Sequence, residues 1–141
     1  MTNTAFTFGK FQQLHVGHID LFARALANHE HLVIGISSHG KNEPLQKRVE
    51  AIRKVVKANG WDGRVHFVYD NNMWHAYAQV GPECNIFLGE DRERTGVRLA
   101  SERNTTYVKV KRLTSSTEVR RRMASGEVLD DIVPSYLVNN L

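Results

Sequence analysis

The sequence predicts an α/β protein with a doubly wound parallel sheet of five strands and helices on both faces. Short apolar runs alternate along the chain with segments whose apolar residues recur at helical spacing. The run 31–37 is apolar almost throughout, as in strands that are buried in parallel sheets. This alternation is typical of doubly wound folds, in which ligands bind at the carboxyl ends of the strands.

Three strands and two helices are predicted in the first half of the chain. The strand signals are short apolar runs, and they lie at 5–8, 31–37 and 65–69. The helix signals are apolar residues spaced three or four apart, and they lie at 19–26 and 45–58. The polar stretch 38–44 is predicted as a loop, and Asn59-Gly60 is expected to end the second helix.

Two more strands and three more helices are predicted in the second half. The strands lie at 84–88 and 106–110, and the helices at 74–80, 94–102 and 115–124. Gly81-Pro82 closes the first of these helices. The last helix opens with Ser115-Ser116-Thr117-Glu118, a capping box in which a hydroxyl at the N-cap precedes a glutamate by three residues.

Length and composition describe a single domain, residues 1–141, with an ordinary core. The hydrophobic share of 41% and the charged share of 24% are typical of globular proteins. No apolar run approaches the roughly 18 residues of a membrane span, and the first residues are unlike a signal peptide. The single cysteine, Cys84, lies in an apolar run, so a reducing, cytoplasmic setting is expected.

The net charge of +4 suits anionic ligands, either small nucleotides or a nucleic acid. Basic residues cluster at 109–112 and 120–122. RNA-binding surfaces usually place aromatic residues for stacking beside such clusters, and few accompany these. A nucleic-acid-binding module is therefore the alternative, and specific nucleic-acid binding is not expected.

Residues 8–18 join the first strand to the first helix. The amides at a helix N-terminus are unpaired and attract anions, so such junctions bind phosphate groups. Gly9 is expected to permit a sharp turn, and Gly17 a close approach of a ligand to the backbone. His15 and His18, three residues apart, can share one helical face. They could instead hold a metal, but zinc needs three or four ligands and no third lies nearby in the sequence.

The start of the last helix offers a second group of anion-binding atoms. It contains three consecutive hydroxyl residues, unpaired amides and, one turn into the helix, Arg120. Taken alone, this is an ordinary capped helix start. Together with the two histidines, it predicts a site that binds the outer phosphates of a nucleoside triphosphate.

These motifs carry a resemblance to a known family. Residues 8–18 resemble the G-[RK]-F-Q-P-x-H-x-G-H signature of the nucleotidyltransferases, and the pair Phe11-Gln12 is similar to the pyridine-nucleotide adenylyltransferase branch. The stretch 116–134 resembles the tail of the archaeal-type nicotinamide mononucleotide adenylyltransferases. Weaker similarities cover residues 70–74, and Asn42-Glu43-Pro44 with Arg48. The resemblance implies a Rossmann-like fold.

The resemblance also implies an activity, the transfer of AMP from ATP to nicotinamide mononucleotide, with Mg²⁺ bridging the phosphates. The catalytic residues that it implies are Lys10, His15, His18 and Arg120. The ATP-binding residues that it implies are Phe8, Gly9, Gly17, Ser115, Ser116 and Thr117. The acceptor-binding residues that it implies are Phe11, Gln12, Arg48, Asn72 and Trp74, the last by stacking on the nicotinamide ring. No side chain is assigned as a metal ligand.

Several positions depart from the family pattern. Lys10 replaces an arginine and loses its bidentate fork, and Gln13 replaces a proline. The stretch 89–92 does not match the family's Ser-[GN]-Asn-Pro, which leaves the acceptor open. The alternative enzyme is a cytidylyltransferase or another adenylyltransferase, acting on a polyol phosphate or on pantetheine phosphate. A homo-oligomer is compatible with the sequence, which does not decide it.

The role of Trp74, and that of Glu90 and Asp91, each have two interpretations, and helix geometry assigns the arginines of the last helix. Trp74 either stacks on the acceptor or packs in the fold. Glu90 and Asp91 either approach the magnesium ion or pair with nearby arginines. Successive helical residues point about 100° apart, so Arg120 is expected to face the site, and the next two arginines solvent or a subunit partner.

Overall fold

The structure is a computed structural model that describes residues 3–38, 44–81 and 83–141. Its strands are β1 (Thr4–Gly9), β2 (His31–Ser37), β3 (Val65–Asp70), β4 (Asn85–Gly89) and β5 (Tyr107–Val110). Its helices are α1 (Val16–Asn28), α2 (Leu45–Ala58), α3 (Met73–Ala78), α4 (Glu93–Glu102) and α5 (Ser116–Ser125). Short 3₁₀ helices cover Glu90–Arg92 and Ser135–Asn140. Every predicted strand and helix is present.

The five strands form one parallel sheet in the order β3-β2-β1-β4-β5. β1 pairs with β2 from Thr4 opposite His31 to Gly9 opposite Ile36, and with β4 along its other side. The chain moves outward from β1 to β3 and then crosses back to β4 and β5. The strand order thus reverses between β1 and β4, where a doubly wound sheet opens a ligand crevice at its carboxyl edge.

Helices cover both faces of the sheet, as predicted. On one face, α1 and α2 pack with residues such as Phe22, which is fully buried. On the other face, α3 and α4 pack around Tyr77. Alternate strand residues point to opposite faces, so Phe87 of β4 joins the first cluster, whereas Ile86 and Leu88 join the second.

Capping residues determine helix boundaries that the apolar pattern did not predict. α1 begins at Val16, before the first predicted apolar position, because His15 caps it. In α5, the Ser115 hydroxyl accepts the Glu118 N–H at 3.1 Å. The predicted capping box is only half formed, because the Glu118 carboxylate bonds to arginines of the same helix. Gly126, with a φ of 72°, ends α5 in the left-handed region that glycine favours.

Some predictions fall outside the described residues. The loop predicted at 38–44 lies mostly in the undescribed segment 39–43, which includes Asn42 and Glu43 of the acceptor motif. Pro82 is also outside. Within the described ranges, no helix is both long enough and apolar enough to cross a membrane.

Candidate active site

A cavity of about 490 Å³ lies at the carboxyl ends of β1 and β4. Its walls come from the β1–α1 junction, the turn after β4, and the stretch from β5 into the first turn of α5. The predicted site residues that line it are Phe8, Gly9, Lys10, Phe11, Gln12, His15, Gly17, His18, Ser116, Thr117 and Arg120. The two terminal motifs therefore meet at the point where the strand order reverses.

His15 and His18 cap the N-terminus of α1 reciprocally. His15 Nδ1 accepts the Gly17 N–H at 3.0 Å, and His18 Nδ1 accepts the His15 N–H at 3.3 Å. The rings stack with centroids 3.8 Å apart and 23° between their planes. A Cβ on Gly17 would lie 2.8 Å from His15 Cε1, so glycine at this position makes room for the capping ring.

Both imidazoles favour the neutral form. Burial, followed by the charge of Arg112, lowers the pKa of His15 to about 4. Burial, followed by His15 and Arg112, lowers the pKa of His18 well below 6.5. Because Nδ1 of each ring accepts a backbone N–H, the neutral ring carries its proton on Nε2. At neutral pH the pair therefore offers two uncharged N–H donors.

Acidification is expected to destabilise the protein through this pair. The unfolded chain binds a proton at each histidine near pH 6.5, whereas folded His15 binds one only near pH 4. The free energy of unfolding is therefore highest above about pH 6.5, where His15 is neutral in both states, and it falls as the pH is lowered from 6.5 toward 4. Between pH 7 and pH 5 we expect His15 to account for a loss of about 2 kcal/mol in the free energy of unfolding.

Urea unfolding of the wild type and of His15→Asn across this pH range tests this expectation. Asparagine keeps an oxygen that can cap the helix, but it does not titrate. The loss of stability on acidification should be smaller in the variant. Equal losses in the two proteins would show that His15 is not the group responsible.

The turn from β1 into α1 is made at Phe11 rather than at Gly9. Phe11 has a left-handed backbone with a φ of 52°, whereas the φ of Gly9 is not in that region. The Phe11 ring is 6% exposed and packs against Phe22 and His18, with centroids 5.6 Å and 5.2 Å away. Gly9 instead provides space, because a Cβ there would lie 3.2 Å from the Phe11 ring.

The first turn of α5 contributes a second set of polar groups. The Ser116 hydroxyl donates to the Gln13 carbonyl at 3.2 Å. Arg120 donates from Nη1 to the Gln13 side-chain oxygen at 3.0 Å and from Nη2 to the Thr117 hydroxyl at 3.4 Å. Ser115 does not line the cavity. Its hydroxyl caps the helix, which does not favour the ATP contact predicted for it.

The cavity lining is strongly cationic. In the part of the chain that the structure describes, its charged residues are Lys10, Arg92, Lys111, Arg112, Arg120 and a single carboxylate, Asp91. Asp91 pairs with Arg112 at 3.3 Å. Arg92 donates to the Phe8 carbonyl at 2.9 Å, and burial lowers the pKa of its guanidinium. Excess positive charge of this kind favours a polyanionic ligand.

Three of these cations were not predicted as site residues. Arg92 follows β4, and Lys111 and Arg112 follow β5 directly. The last two belong to the basic cluster at 109–112, for which only nucleic-acid binding was weighed. The carboxyl ends of parallel strands meet at one edge of the sheet, and that rule, applied to β4 and β5, would have placed all three beside the histidines.

Arg121 and Arg122 do not line the cavity, as expected, and they belong to a carboxylate network at the surface, where the Arg121 side chain is 54% exposed. Arg121 contacts Glu118 at 2.8 Å and Glu127 at 2.6 Å. Arg122 contacts Glu118 at 2.8 Å and Asp131 at 2.6 Å. Hydrogen bonds from both arginines lower the pKa of Glu118 to about 2. Two of these carboxylates, Glu127 and Asp131, lie in the segment that follows α5. The sequence did not predict that this segment packs back against the helix.

Arg48, predicted to bind the acceptor, is buried and donates hydrogen bonds to backbone carbonyls. Its side chain is 3% exposed and does not line the cavity. Nη1 donates to the Ser37 carbonyl at 2.7 Å and to the Lys10 carbonyl at 3.0 Å. Arg48 thereby joins the end of β2 to the residue that follows β1, so its contact with the site is indirect.

Asn72 and Trp74 also lie outside the cavity lining. The Asn72 side chain caps α3 by accepting the Trp74 N–H at 2.8 Å. The Trp74 indole N–H donates to Glu102, and the Arg98 guanidinium lies 5.8 Å from the centre of the indole ring. These contacts with α4 favour the packing interpretation of Trp74. Its stacking on an acceptor stays a prediction that the observed contacts do not favour.

The described residues contain no cluster of three or more histidine, cysteine, aspartate or glutamate side chains suited to a metal ion. Glu90 accepts the Arg112 backbone N–H at 3.2 Å, and Asp91 pairs with the Arg112 side chain. This donor set fits a magnesium ion that is held mainly by phosphates and water, and not one held in a protein cage.

Comparison with known proteins agrees with this geometry. The nicotinamide-nucleotide adenylyltransferase of Pyrococcus horikoshii is 29% identical over 147 residues, which cover 92% of this chain and 77% of the relative. The Pyrococcus abyssi enzyme of the same name is 28% identical over 150 residues, with the same coverage of 92% and 77%.

The fold also matches a solved structure, that of a bifunctional NMN adenylyltransferase/ADP ribose pyrophosphatase from Francisella tularensis. The TM-score is 0.74 at 19% identity, and the match covers 94% of this chain and 45% of that one. The chain thus spans less than half of that protein, and the likeness supports the fold alone. The cytidylyltransferase-like family model matches residues 6–122, a range that contains both motifs of the cavity. The chain therefore belongs to the cytidylyltransferase-like family.

Proposed function

We propose that this protein is an adenylyltransferase that moves AMP from ATP to nicotinamide mononucleotide, forming NAD and pyrophosphate. The observation that carries the proposal is the meeting of the His15/His18 pair with the first turn of α5 in one cationic cavity. The Pyrococcus relatives, which are named for this activity, match over 92% of the chain and support the choice of acceptor.

The chemistry needs no protein base. The phosphate of the acceptor is largely ionised at neutral pH, since its second pKa is about 6. One of its oxygens attacks the α-phosphorus of ATP in line, a new P–O bond forms, and the bond from the α-phosphorus to the bridging oxygen breaks. Pyrophosphate leaves with that electron pair. Catalysis then consists of alignment and of stabilising the charge that develops on the α-phosphate.

The residues of the cavity divide between the phosphates. His15 and His18 donate their Nε2 protons to the α-phosphate oxygens, where charge grows in the transition state. Lys10 and Arg120 hold the β- and γ-phosphates, together with the amides of Ser116 and Thr117 and the Thr117 hydroxyl, since the Ser116 hydroxyl donates its one proton to Gln13. A neutral imidazole suits the first task, because it donates a hydrogen bond without first having to gain a proton.

Magnesium would neutralise part of the triphosphate charge when bound. Among the described residues, Asp91 is the one carboxylate in the lining, and it is paired with Arg112. The phosphates and water would therefore supply most of the ligands. Gln12, which lines the cavity beside the histidines, is the acceptor-binding residue that we retain from the sequence.

A nucleic-acid-binding role is less well supported. RNA binders use clusters of cations that are available to phosphates, and their affinity falls steeply with salt. Arg121 and Arg122, the centre of the basic cluster on α5, are bound to carboxylates. Other cations, Lys10, Lys111 and Arg120, line a cavity of about 490 Å³, a size that suits a small ligand.

A product assay with paired substrates tests the proposal. ATP or CTP is mixed with nicotinamide mononucleotide, pantetheine phosphate or a polyol phosphate, with Mg²⁺ or with a chelator. We expect NAD and pyrophosphate in equal amounts from ATP and nicotinamide mononucleotide, and loss of the product with the chelator. A larger yield from CTP or from another acceptor would replace the proposed reaction by that one.

A further inference from the structure

Three consecutive arginines of α5 have unequal partners. Arg121 and Arg122 each contact two carboxylates, which neutralise much of their charge. Arg120 is bonded to two neutral oxygens, those of the Gln13 amide at 3.0 Å and the Thr117 hydroxyl at 3.4 Å. No carboxylate of a described residue forms an ion pair with it. Only Arg120 of the three lines the cavity.

Gln13 contacts α5 through two atoms. Its backbone carbonyl accepts the Ser116 hydroxyl at 3.2 Å, and its side-chain oxygen accepts from Arg120. The first contact fixes the distance between the β1–α1 junction and the start of α5. The second fixes the direction of the guanidinium relative to that junction, which carries the two histidines.

We propose that Gln13 is the positioning residue for Arg120, holding its guanidinium at the cavity as an uncompensated cation for the outer phosphates of a nucleoside triphosphate. The inference rests on the proposed function for its ligand class, a polyphosphate. Gln13 acts through Arg120, and it does not line the cavity itself.

Two physical effects favour a glutamine for this task. An exposed arginine side chain has many rotamers, and a hydrogen-bonded partner reduces the entropy that is lost when a ligand orders it. A carboxylate would order it equally well but would compete with the phosphates for its charge. Guanidinium has five N–H donors, and the two observed bonds leave donors for a phosphate.

Equilibrium binding of ATP and of inorganic tripolyphosphate, measured by calorimetry, tests the inference. The proteins are the wild type, Gln13→Ala, Arg120→Ala and the double variant. We expect Gln13→Ala to weaken polyphosphate binding about three- to tenfold, a size typical of the net contribution of one intramolecular hydrogen bond. In the Arg120→Ala background, the same substitution should have no further effect.

The variant Gln13→Glu distinguishes a role of Gln13 in positioning Arg120 from a purely structural role. Its carboxylate keeps a partner for Arg120, so the melting temperature should be preserved or raised. Polyphosphate binding should nevertheless be weaker than in Gln13→Ala, because Arg120 is then neutralised. Gln79→Ala is the matched control, since the Gln79 amide also bonds to a charged side chain, Asp70 at 3.2 Å, away from the cavity. The affinity of the Gln79→Ala variant for ATP should equal that of the wild type.

The inference is overturned if Gln13→Ala binds polyphosphate as the wild type does, or if its loss of affinity is the same with and without Arg120. It is also overturned if wild type binds neither polyphosphate. Failure of the proposed function looks different. In that case tripolyphosphate binding follows the expected order among the variants, while nicotinamide mononucleotide yields no NAD.

Discussion

His18→Ala is expected to lower turnover by about two to three orders of magnitude, the usual cost of removing one donor to a developing oxyanion. His18 is a neutral ring whose Nδ1 is occupied by the His15 N–H, and Nε2 therefore carries its donor proton. The alanine variant cannot stabilise the charge that grows on the α-phosphate. The measurement is the rate of NAD formation at saturating ATP and acceptor.

The same variant should keep most of its stability, because His18 is only one of the groups that cap α1. The melting temperature and the Michaelis constant for ATP should therefore change much less than turnover. His66→Ala is a suitable control, since His66 is an exposed histidine on β3 that does not line the cavity. Turnover of His18→Ala within a few-fold of wild type would remove this residue from its assigned role.

Gly17→Ala is expected to reduce turnover at least tenfold by displacing the other histidine. The added Cβ would meet His15 Cε1 at 2.8 Å and Nδ1 at 3.0 Å, closer than such atoms approach. The ring must rotate, and it then loses the Gly17 N–H and the stack with His18. Loss of this cap should lower the free energy of unfolding by about 1 kcal/mol.

The double variant Gly17→Ala/His15→Ala tests that explanation. Without the imidazole nothing lies closer to the new Cβ than the Thr114 carbonyl at 3.6 Å, an ordinary contact. In the His15→Ala background, Gly17→Ala should therefore be neutral or stabilising, since alanine has a higher helix propensity than glycine. If it destabilises both backgrounds equally, the clash with His15 is not its cause.

The fold was predictable because each strand is an apolar run bounded by turn signals. The histidine motif was predictable for a related reason, since it lies where the first strand gives way to the first helix. The reciprocal cap was not, because a spacing of three places His15 and His18 on one face without showing which backbone N–H each ring accepts. Sequence spacing carries no information on ring rotation.

The contacts that Arg48 and Trp74 make were not predicted, for a different reason. The roles of Arg48 and Trp74 depend on segments distant in sequence, the carbonyl of Lys10 and the helix that carries Glu102. Arg112 is a different case: it was counted in the basic cluster at 109–112 and given no role in the site, although its place directly after β5 puts it at the cavity. The contacts of Arg48 and Trp74, in contrast, arise from tertiary packing, which the local pattern of the chain does not encode.

The backbone of Phe11 has a consequence for engineering this protein. A left-handed residue other than glycine costs roughly 1–2 kcal/mol, so Phe11→Gly would relieve that cost at a φ of 52°. The same change would remove the ring that packs against His18 and Phe22. Truncating a buried phenylalanine costs about 3–5 kcal/mol, which exceeds the relief, so stability and activity both favour phenylalanine at this position. A library designed to raise the melting temperature should leave Phe11 unchanged and seek its gains far from the carboxyl edge of the sheet.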